Sequence, residues 1–153
     1  MKSYRHSGVD RIHAFKGIEM KRRVLVSGGA GYIGSHVTVE LLDAGYDVVV
    51  ADNLSNCDMT CFEGVKKITG YNELPFREVD FCDRDQTLGL FKEFKFDAVI
   101  HFAAFKAVGE SVDKPISYYR NNIMSFLNVL EAAEATACRN VLFSSSATVY
   151  GEP

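Results

Sequence analysis

Three glycines follow a short apolar run at a spacing of three residues, and a turn of this kind can hold phosphate groups. The run is Val24–Val26, and the glycines are Gly28, Gly31 and Gly34. The first glycine lets a strand reverse, the second lets the backbone approach a pyrophosphate, and the third lets the next helix lie close to the sheet. The amides at the start of that helix face the phosphates. The pattern therefore predicts a site for a dinucleotide.

An acidic residue stands where the adenosine ribose of such a ligand would lie. Asp52 ends the second predicted strand, and an acid about 20 residues beyond the glycine turn binds the ribose hydroxyls. A 2′-phosphate there would face the carboxylate, and two like charges about 4 Å apart cost roughly 1 to 4 kcal/mol. Asp52 therefore favours NAD over NADP. The alternative is that Asp52 and Asn53 only form a turn.

From Arg23 onward, short runs rich in Val and Ile alternate with segments of helical period. The predicted strands are Val24–Gly28, Asp47–Asp52, Pro75–Asp80, Asp97–Phe102 and Asn140–Ser144. The predicted helices are Tyr32–Ala44, Asp58–Thr69, Arg84–Phe94 and Pro115–Ala137. Strands that are apolar throughout suit a parallel sheet covered on both faces. The alternation predicts an α/β, Rossmann-like doubly wound parallel sheet, truncated after about the fifth strand.

In the last predicted helix, apolar residues recur at intervals of three and four. They are Ile116, Tyr119, Ile123, Phe126, Leu127, Leu130 and Ala133. A stripe of this kind is expected to pack on the sheet, with any surplus available to a partner helix. The aromatic residues Phe91, Phe94 and Phe96 are predicted to lie in the core.

The composition is that of an ordinary globular domain, with 153 residues, 47% hydrophobic, 24% charged and a net charge of -3. Without a basic excess, we expect no nucleic-acid partner. No apolar stretch approaches the roughly 20 residues that cross a bilayer, and the start of the chain lacks the apolar core of a secretory signal. We therefore expect no membrane partner and a cytoplasmic location.

The cysteines and histidines predict no metal site. The four cysteines are Cys57, Cys61, Cys82 and Cys138. They form no redox motif, so we expect reduced structural thiols, as is usual in a reducing compartment. A zinc half-site at Cys57 and Cys61 is the alternative. His36 and His101 lack metal-ligand spacing and are predicted to be structural.

Residues 1–22 differ from the rest of the chain, because they are basic with little apolar periodicity, and Met20 stands just before the first strand. We expect a non-functional N-terminal extension there. An organellar presequence, a vector remnant and an upstream in-frame start all fit this composition.

Five segments of the chain carry a resemblance to a known family. They are Ser27–His36, Asp52–Leu54, His101–Ser111, Tyr118–Asn122 and Ser144–Gly151. Together they resemble the UDP-glucose 4-epimerase (UDP-galactose 4-epimerase) family of extended short-chain dehydrogenases/reductases. The resemblance runs from about Lys21 to Pro153, and the segment Phe105–Ser111 is more specific than the glycine turn. Ser27 stands where the superfamily usually has threonine, so a hydroxyl is kept.

One motif of that family is missing. Its members use a Tyr-x-x-x-Lys pair, which lies beyond the serine segment, as the acid/base of hydride transfer. None of the seven tyrosines of this chain is followed by lysine at the fourth position, and Tyr150 belongs to the serine segment. The resemblance therefore implies that residues 23–153 are an incomplete NAD-binding Rossmann domain. We expect an N-terminal part without the substrate domain, inactive alone.

The resemblance implies that the intact protein interconverts UDP-glucose and UDP-galactose, by taking a hydride from C4 of its UDP-hexose substrate and returning it to the other face. It implies that Ser146 supplies a catalytic hydroxyl beside the sugar, that Asp80 and Phe81 flank the adenine, and that Lys106 contacts the cofactor. The implied NAD-binding residues are Gly28, Gly31, Tyr32, Ile33, Gly34, Asp52, Asn53, Asp80, Phe81, Phe102, Ala103, Ala104, Lys106 and Asn121. It also implies a homodimer through a bundle that includes the last predicted helix.

Plainer interpretations stay open. Ser144–Ser146 can simply end a strand, and Lys106, Asn121 and Asn122 can be solvated surface residues. Tyr118 and Tyr119 fit a structural role as well as one beside the cofactor. The chain as a whole can also be a non-catalytic NAD-binding fragment, or part of another NAD-dependent nucleotide-sugar epimerase or dehydratase.

Overall fold

The computed structural model describes residues 21–146 and Gly151. Most of the predicted extension, residues 1–20, and the segment Ala147–Tyr150 of the serine motif lie outside the described residues. The strands are β1 (Arg23–Ser27), β2 (Asp47–Asp52), β3 (Phe76–Glu78), β4 (Ala98–His101) and β5 (Asn140–Phe143). The helices are α1 (Tyr32–Asp43), α2 (Thr60–Thr69), α3 (Arg84–Phe94), α4 (Val108–Asp113) and α5 (Pro115–Ala135).

The strands form one parallel sheet in the order β3-β2-β1-β4-β5. β1 lies in the middle, where Leu25 pairs with Val49 of β2 on one side and with Val99 of β4 on the other. The chain thus builds outward from β1 in one direction and then crosses to build in the other. The crevice at the carboxyl ends of the strands on either side of such a reversal is where open α/β sheets bind ligands. The predicted fold class is confirmed.

Because successive strand residues point to opposite faces, the sheet has two apolar cores. One lies under α3 and α5 and contains Leu25, Val49, Phe91 and Val129. The other lies under α1 and α2 and contains Val26, Val48, Leu42 and Phe62. Phe91 and Phe96 are buried as predicted, whereas Phe94 is only partly buried at the edge of the first core.

The predicted elements are confirmed, with differences at their ends. β2 and α3 have the predicted bounds, and β1 has the predicted length but begins and ends one residue earlier. The other three strands are one to three residues shorter because the pairing stops before the flanking turn residues. The sequence did not predict α4. It holds Gly109, a weak helix former, and none of its residues is buried, so the sequence carries no periodic signal there.

The prediction for the apolar stripe of α5 is wrong for most of its residues. Ile116, Tyr119 and Ile123 are 69%, 66% and 51% exposed, and Leu127 and Leu130 are exposed as well. The buried side of the helix instead carries Ser125, Asn128, Val129, Ala132 and Ala133. Small side chains let the helix lie close to the sheet, so the bulky ones face outward. Among the described residues, no helix has the length and hydropathy needed to span a bilayer.

A buried polar pair joins the carboxyl ends of β1 and β4. Ser27 Oγ lies 2.6 Å from His101 Nδ1, and the imidazole packs against the rings of Phe81, Phe126 and Phe143. His101 Nε2 has no hydrogen-bond partner within the described part of the chain. Burial lowers the pKa of His101 from 6.5 to about 4. The ring is therefore neutral at physiological pH.

Acid should destabilise the fold through His101. The unfolded chain takes up this proton near the ordinary pKa of 6.5, whereas the folded chain does so only near pH 4. The free energy of unfolding is therefore unaffected by protonation of His101 above about pH 6.5. It falls by up to roughly 3 kcal/mol as the pH drops toward 4. Urea unfolding between pH 7 and pH 4.5 measures the loss.

The control is the paired variant Ser27→Ala/His101→Leu, which removes both polar partners and leaves no orphaned hydroxyl. Its stability should fall less over the same pH range, since it keeps the carboxylates but not the buried imidazole. An equal fall in both proteins would contradict the assignment to His101.

Candidate functional site

The glycine turn joins the end of β1 to the start of α1, and Gly28 is its tightest point. Gly28 has a φ of 73°, in the left-handed region that favours glycine. A Cβ there would lie 2.6 Å from the amide nitrogen of Ala103 and 2.8 Å from the carbonyl carbon of Phe102. The segments that follow β1 and β4 can therefore meet only because no side chain stands between them.

The start of α1 packs against the same turn at Gly34. A Cβ on Gly34 would collide with the carbonyl oxygen of Gly28 and lie 2.6 Å from Gly29 Cα. Gly29, which the glycine spacing did not single out, is equally confined, since its Cβ would lie 2.6 Å from Val50 Cγ1. At Gly31 the nearest atom is 3.3 Å away, so the pyrophosphate role of Gly31 stays a prediction.

The first turn of α1 is suited to an anion. Its N-cap is Gly31, no side chain caps it, and the first turn holds no acidic residue. The leading amides of a helix have no partner within the helix, and the helix dipole favours negative charge at this end. Gly31, Tyr32, Ile33 and Gly34 all line the neighbouring cleft.

Asp52 is held at the end of β2 by the backbone around it. Its Oδ2 accepts a hydrogen bond from the amide of Ala30 at 3.1 Å, and its Oδ1 accepts one from the amide of Leu54 at 3.0 Å. The residue is 7% exposed and still lines the cleft. A carboxylate has about four lone-pair sites, so acceptor capacity remains. Asp52 thus joins the glycine turn to β2 and offers an acceptor to a ligand.

One cleft of about 650 Å³ lies along the carboxyl ends of the strands, where ligand sites of this fold are found. The structure brings every predicted site residue to it. They are Gly28, Gly31, Tyr32, Ile33, Gly34, Asp52, Asn53, Asp80, Phe81, Phe102, Ala103, Ala104, Lys106, Asn121 and Ser146. Their individual roles stay predictions.

The segment that follows β3 forms one wall of the cleft, and contacts with the core hold most of this segment in place. Phe81 is 3% exposed, so its ring presents little surface to the cleft. Its carbonyl oxygen accepts a hydrogen bond from Asn128 Nδ2 of α5 at 2.9 Å. The chain makes a turn at Asp80, whose Oδ1 accepts a hydrogen bond from the amide of Cys82 at 2.9 Å. Asn121 closes the wall from α5, with its Oδ1 3.4 Å from Cys82 Sγ.

The segment between β4 and α4 contains a contact that sequence reasoning missed. Asn122 Oδ1 accepts a hydrogen bond from the amide of Phe105 at 2.8 Å, and Asn122 Nδ2 donates one to the carbonyl of Phe105 at 3.0 Å. Tyr118, one turn earlier on α5, packs its ring 5.3 Å from the Phe105 ring and lines the cleft, whereas Tyr119 is exposed and does not. The adjacent asparagines in the family segment were the available signal.

The serine segment reaches the cleft from β5. The amide of Ser144 donates to the carbonyl of His101 at 3.2 Å, which extends the pairing of β5 with β4 by one bond. Ser146 is exposed and lines the cleft. The segment Ala147–Tyr150, on which the resemblance of this region partly rests, lies outside the described residues.

Two thiols that line the cleft are not activated. Burial, followed by the charge of Asp52, raises the pKa of Cys57 to about 11. Burial, followed by the charge of Asp80, also raises the pKa of Cys82. All four cysteines are free, and the described residues contain no group of three side chains suited to hold a metal ion. Within residues 21–146 the zinc half-site considered at Cys57 and Cys61 therefore has no third ligand.

Known proteins share both the sequence and the fold. The sequence pattern of the NAD dependent epimerase/dehydratase family matches residues 24–153. UDP-glucose 4-epimerase 2 of Arabidopsis thaliana is 53% identical over 136 residues, which are 88% of this chain and 39% of that protein. The UDP-glucose 4-epimerase of Bacillus subtilis is 52% identical over 130 residues, 85% of this chain and 38% of the relative. The chain thus spans less than two fifths of these relatives.

A solved structure of UDP-glucose 4-epimerase from Bifidobacterium longum, in complex with NAD+ and UDP, superposes with a TM-score of 0.80 at 46% identity. The match covers 86% of this chain and 39% of that one. The enzyme from Stenotrophomonas maltophila, with bound NAD and formylated UDP-arabinopyranose, gives a TM-score of 0.81 at 45% identity, with 86% and 39% covered.

Gly34→Ala should destabilise the chain, because the new Cβ would meet backbone rather than a movable side chain. The free energy of unfolding should fall by about 1 to 3 kcal/mol, the usual cost of forcing extra volume into a packed place. Ligand binding in the cleft should weaken as well. Gly64→Ala in α2 is the matched control. Nothing lies within 4 Å of its Cβ position, so it should stabilise by roughly 0.5 to 1 kcal/mol. Denaturant titration of both variants is decisive, and equal effects would contradict the packing interpretation.

Proposed function

The chain belongs to the NAD dependent epimerase/dehydratase family, and from this premise we propose that it is the NAD-binding part of a UDP-glucose 4-epimerase. The whole protein would interconvert UDP-glucose and UDP-galactose, and residues 23–153 would form its dinucleotide-binding domain. Relatives with this activity in their names are about half identical to the chain.

A single observation carries the proposal. The predicted site residues come from six separate stretches of the sequence, and all of them line one cleft at the strand ends. A scattered set would have indicated a shared fold without a shared site, since fold alone does not determine function. The cleft is also built by backbone contacts that a Cβ at Gly28 or Gly34 would abolish, as expected where a pyrophosphate must approach the chain closely.

The residues present fit NAD. The uncapped first turn of α1 would hold the pyrophosphate, and Asp52 would accept hydrogen bonds from the adenosine ribose. Phe102, Ala103 and Ala104 would line the dinucleotide along the segment that follows β4. The chemistry that NAD supplies when bound is reversible hydride transfer at C4 of the sugar.

Ser146 and Lys106 would act at the other end of the cleft. Ser146 would hydrogen-bond the 4-oxygen of the sugar, and Lys106 would place its ammonium on the cofactor. The Tyr-x-x-x-Lys pair that the family uses to move the proton is not found in these 153 residues. Since a positioned acid/base contributes typically 10²- to 10⁴-fold, we expect the 153-residue chain alone to bind NAD without turning over UDP-galactose.

The proposed compartment is the cytoplasm. All four cysteines are free thiols, and burial raises the pKa of Cys57, Cys82 and Cys138. Free, unactivated thiols of this kind suit a reducing environment. The proposed small-molecule partner of the whole protein is a UDP-hexose.

Asp52→Asn should weaken NAD binding and reduce the preference for NAD over NADP. The variant removes the charge that a 2′-phosphate would meet, and its amide group would face a backbone N–H at either oxygen position, because both oxygens are acceptors here. With roughly 1 to 4 kcal/mol at stake, the ratio of the two affinities should shrink about fivefold or more. Calorimetric titration with each dinucleotide measures it.

The matched control is Asp43→Asn, which removes the same charge at the far end of α1 and should leave the ratio unchanged. Equal wild-type affinity for NAD and NADP would refute the role given to Asp52, and failure to bind either would refute the proposed function.

We also propose that the whole protein is a homodimer that pairs through α5. The support is the outward side of this helix, where Ile116, Ile123 and Leu127 are exposed together. An exposed apolar surface of this kind is typical of an interaction site, and a second copy of the same helix is the partner implied by the family resemblance.

Leu127→Glu should therefore weaken self-association. Burying an unpaired carboxylate costs at least about 1 to 3 kcal/mol, so the dimer dissociation constant should rise about tenfold or more. Analytical ultracentrifugation of the full chain measures it. Ile68→Glu serves as control, because Ile68 is an exposed apolar residue on α2. If both variants associate like the wild type, α5 is not the interface.

A further inference from the structure

Lys106 lies in a segment that no β-ladder supports. Residues 102–107 connect β4 to α4 without regular structure, and Lys106 is exposed at the edge of the cleft. Its ammonium makes no hydrogen bond or ion pair within the described ranges 21–146 and 151. No partner of its own therefore orients this side chain, and what the fold determines is the position of its Cα and the direction of its Cα–Cβ bond, through the backbone beneath it.

That backbone is held by a side chain of α5. Asn122 bonds both the amide and the carbonyl of Phe105, at 2.8 Å and 3.0 Å, much as a neighbouring strand would. Asn121 Nδ2 donates to Asn122 Oδ1 at 3.0 Å, so the oxygen of Asn122 faces two donors and its nitrogen faces an acceptor. The orientation of the Asn122 amide is thus determined by its surroundings.

A second contact on the same helix restrains the same residue. The ring of Phe105 packs against Tyr118, whose hydroxyl donates to Glu110 Oε2 at 2.8 Å. Tyr118 and Asn122 lie one turn apart on α5, so the helix grips both the side chain and the backbone of the residue next to Lys106. Since α5 packs on the sheet, it is a rigid support for this segment.

We propose that Asn122 is a positioning residue, which fixes the backbone at Phe105 and thereby aims Lys106 into the cleft. It rests on the proposed function, in which Lys106 contacts bound NAD. Asn122 does not need to touch the cofactor itself. Its contribution is pre-organisation, because a mobile segment would have to be ordered each time the ligand binds.

A double-mutant cycle on the full chain tests this, with NAD as the titrated ligand. Asn122→Leu and Lys106→Met should each weaken NAD binding about tenfold. If Asn122 acts through Lys106, the double variant should bind NAD only a little more weakly than either single variant. A small additional loss is expected because Asn122 also accepts a hydrogen bond from Asn121. If the two effects multiply to about a hundredfold, the residues act independently, and the proposal is overturned.

A second readout separates this inference from the proposed function. Limited trypsin cleavage after Lys106, identified by mass spectrometry, should be several-fold faster in Asn122→Leu because the segment is released, whether or not NAD binds. Unchanged cleavage overturns the positioning role, whereas loss of NAD binding in the wild type overturns the proposed function. If Asn122→Leu folds poorly, Asn122→Ser, which keeps a short polar side chain, takes its place in both measurements.

The matched control is Asn140→Ala. Asn140 Nδ2 also donates to a backbone carbonyl, that of Asp97 at 2.9 Å, but at the opposite end of the sheet from the cleft. This variant should change neither NAD affinity nor cleavage after Lys106. A comparable effect from Asn140→Ala would assign the Asn122 result to general loosening of the fold and would overturn the proposal.

Discussion

The close approach of three backbone segments at the end of β1 is the constraint on which the site depends. Gly28 touches the chain that follows β4, Gly29 touches Val50 of β2, and Gly34 brings α1 onto the turn. A side chain at any of these glycines would push the segments apart and break their close packing. The shape of the cleft therefore depends on the absence of side chains at these three positions.

Polar side chains complete what the glycines begin. Asp52 accepts hydrogen bonds from the turn and from its own loop, Ser27 meets His101 beneath them, and Asn122 and Asn128 of α5 hold the segments after β4 and β3. Buried polar groups are costly unless they are paired, so each of these bonds also specifies one arrangement of the strand ends. The loops that carry function are in this way attached to rigid elements.

α5 serves two surfaces with different chemistry. Its inner side is small or polar, which permits close packing and hydrogen bonds to the loops, while its outer side carries Ile123 and Leu127 in the open. The apolar period of the sequence correctly predicted the helix but not which side faces the sheet. A periodic apolar stripe indicates that the helix packs against an apolar partner. It does not indicate whether that partner is the sheet or another molecule.

Much of this protein could be determined from the order of its residues. The Val-rich runs, the spacing of Gly28, Gly31 and Gly34, and the position of Asp52 specify local geometry, because strands, turns and helix starts depend on near neighbours in the chain. Those signals predicted the sheet, the glycine turn and the acceptor at Asp52, whereas the other predicted residues of the cleft, such as Lys106 and Ser146, were implied by the family resemblance. The confinement of Gly29, the burial of Phe81 and the grip of Asn122 on Phe105 were decided only by the tertiary structure. Each depends on atoms many residues apart that come together when β4 and α5 pack against β1, and no local pattern records such a meeting.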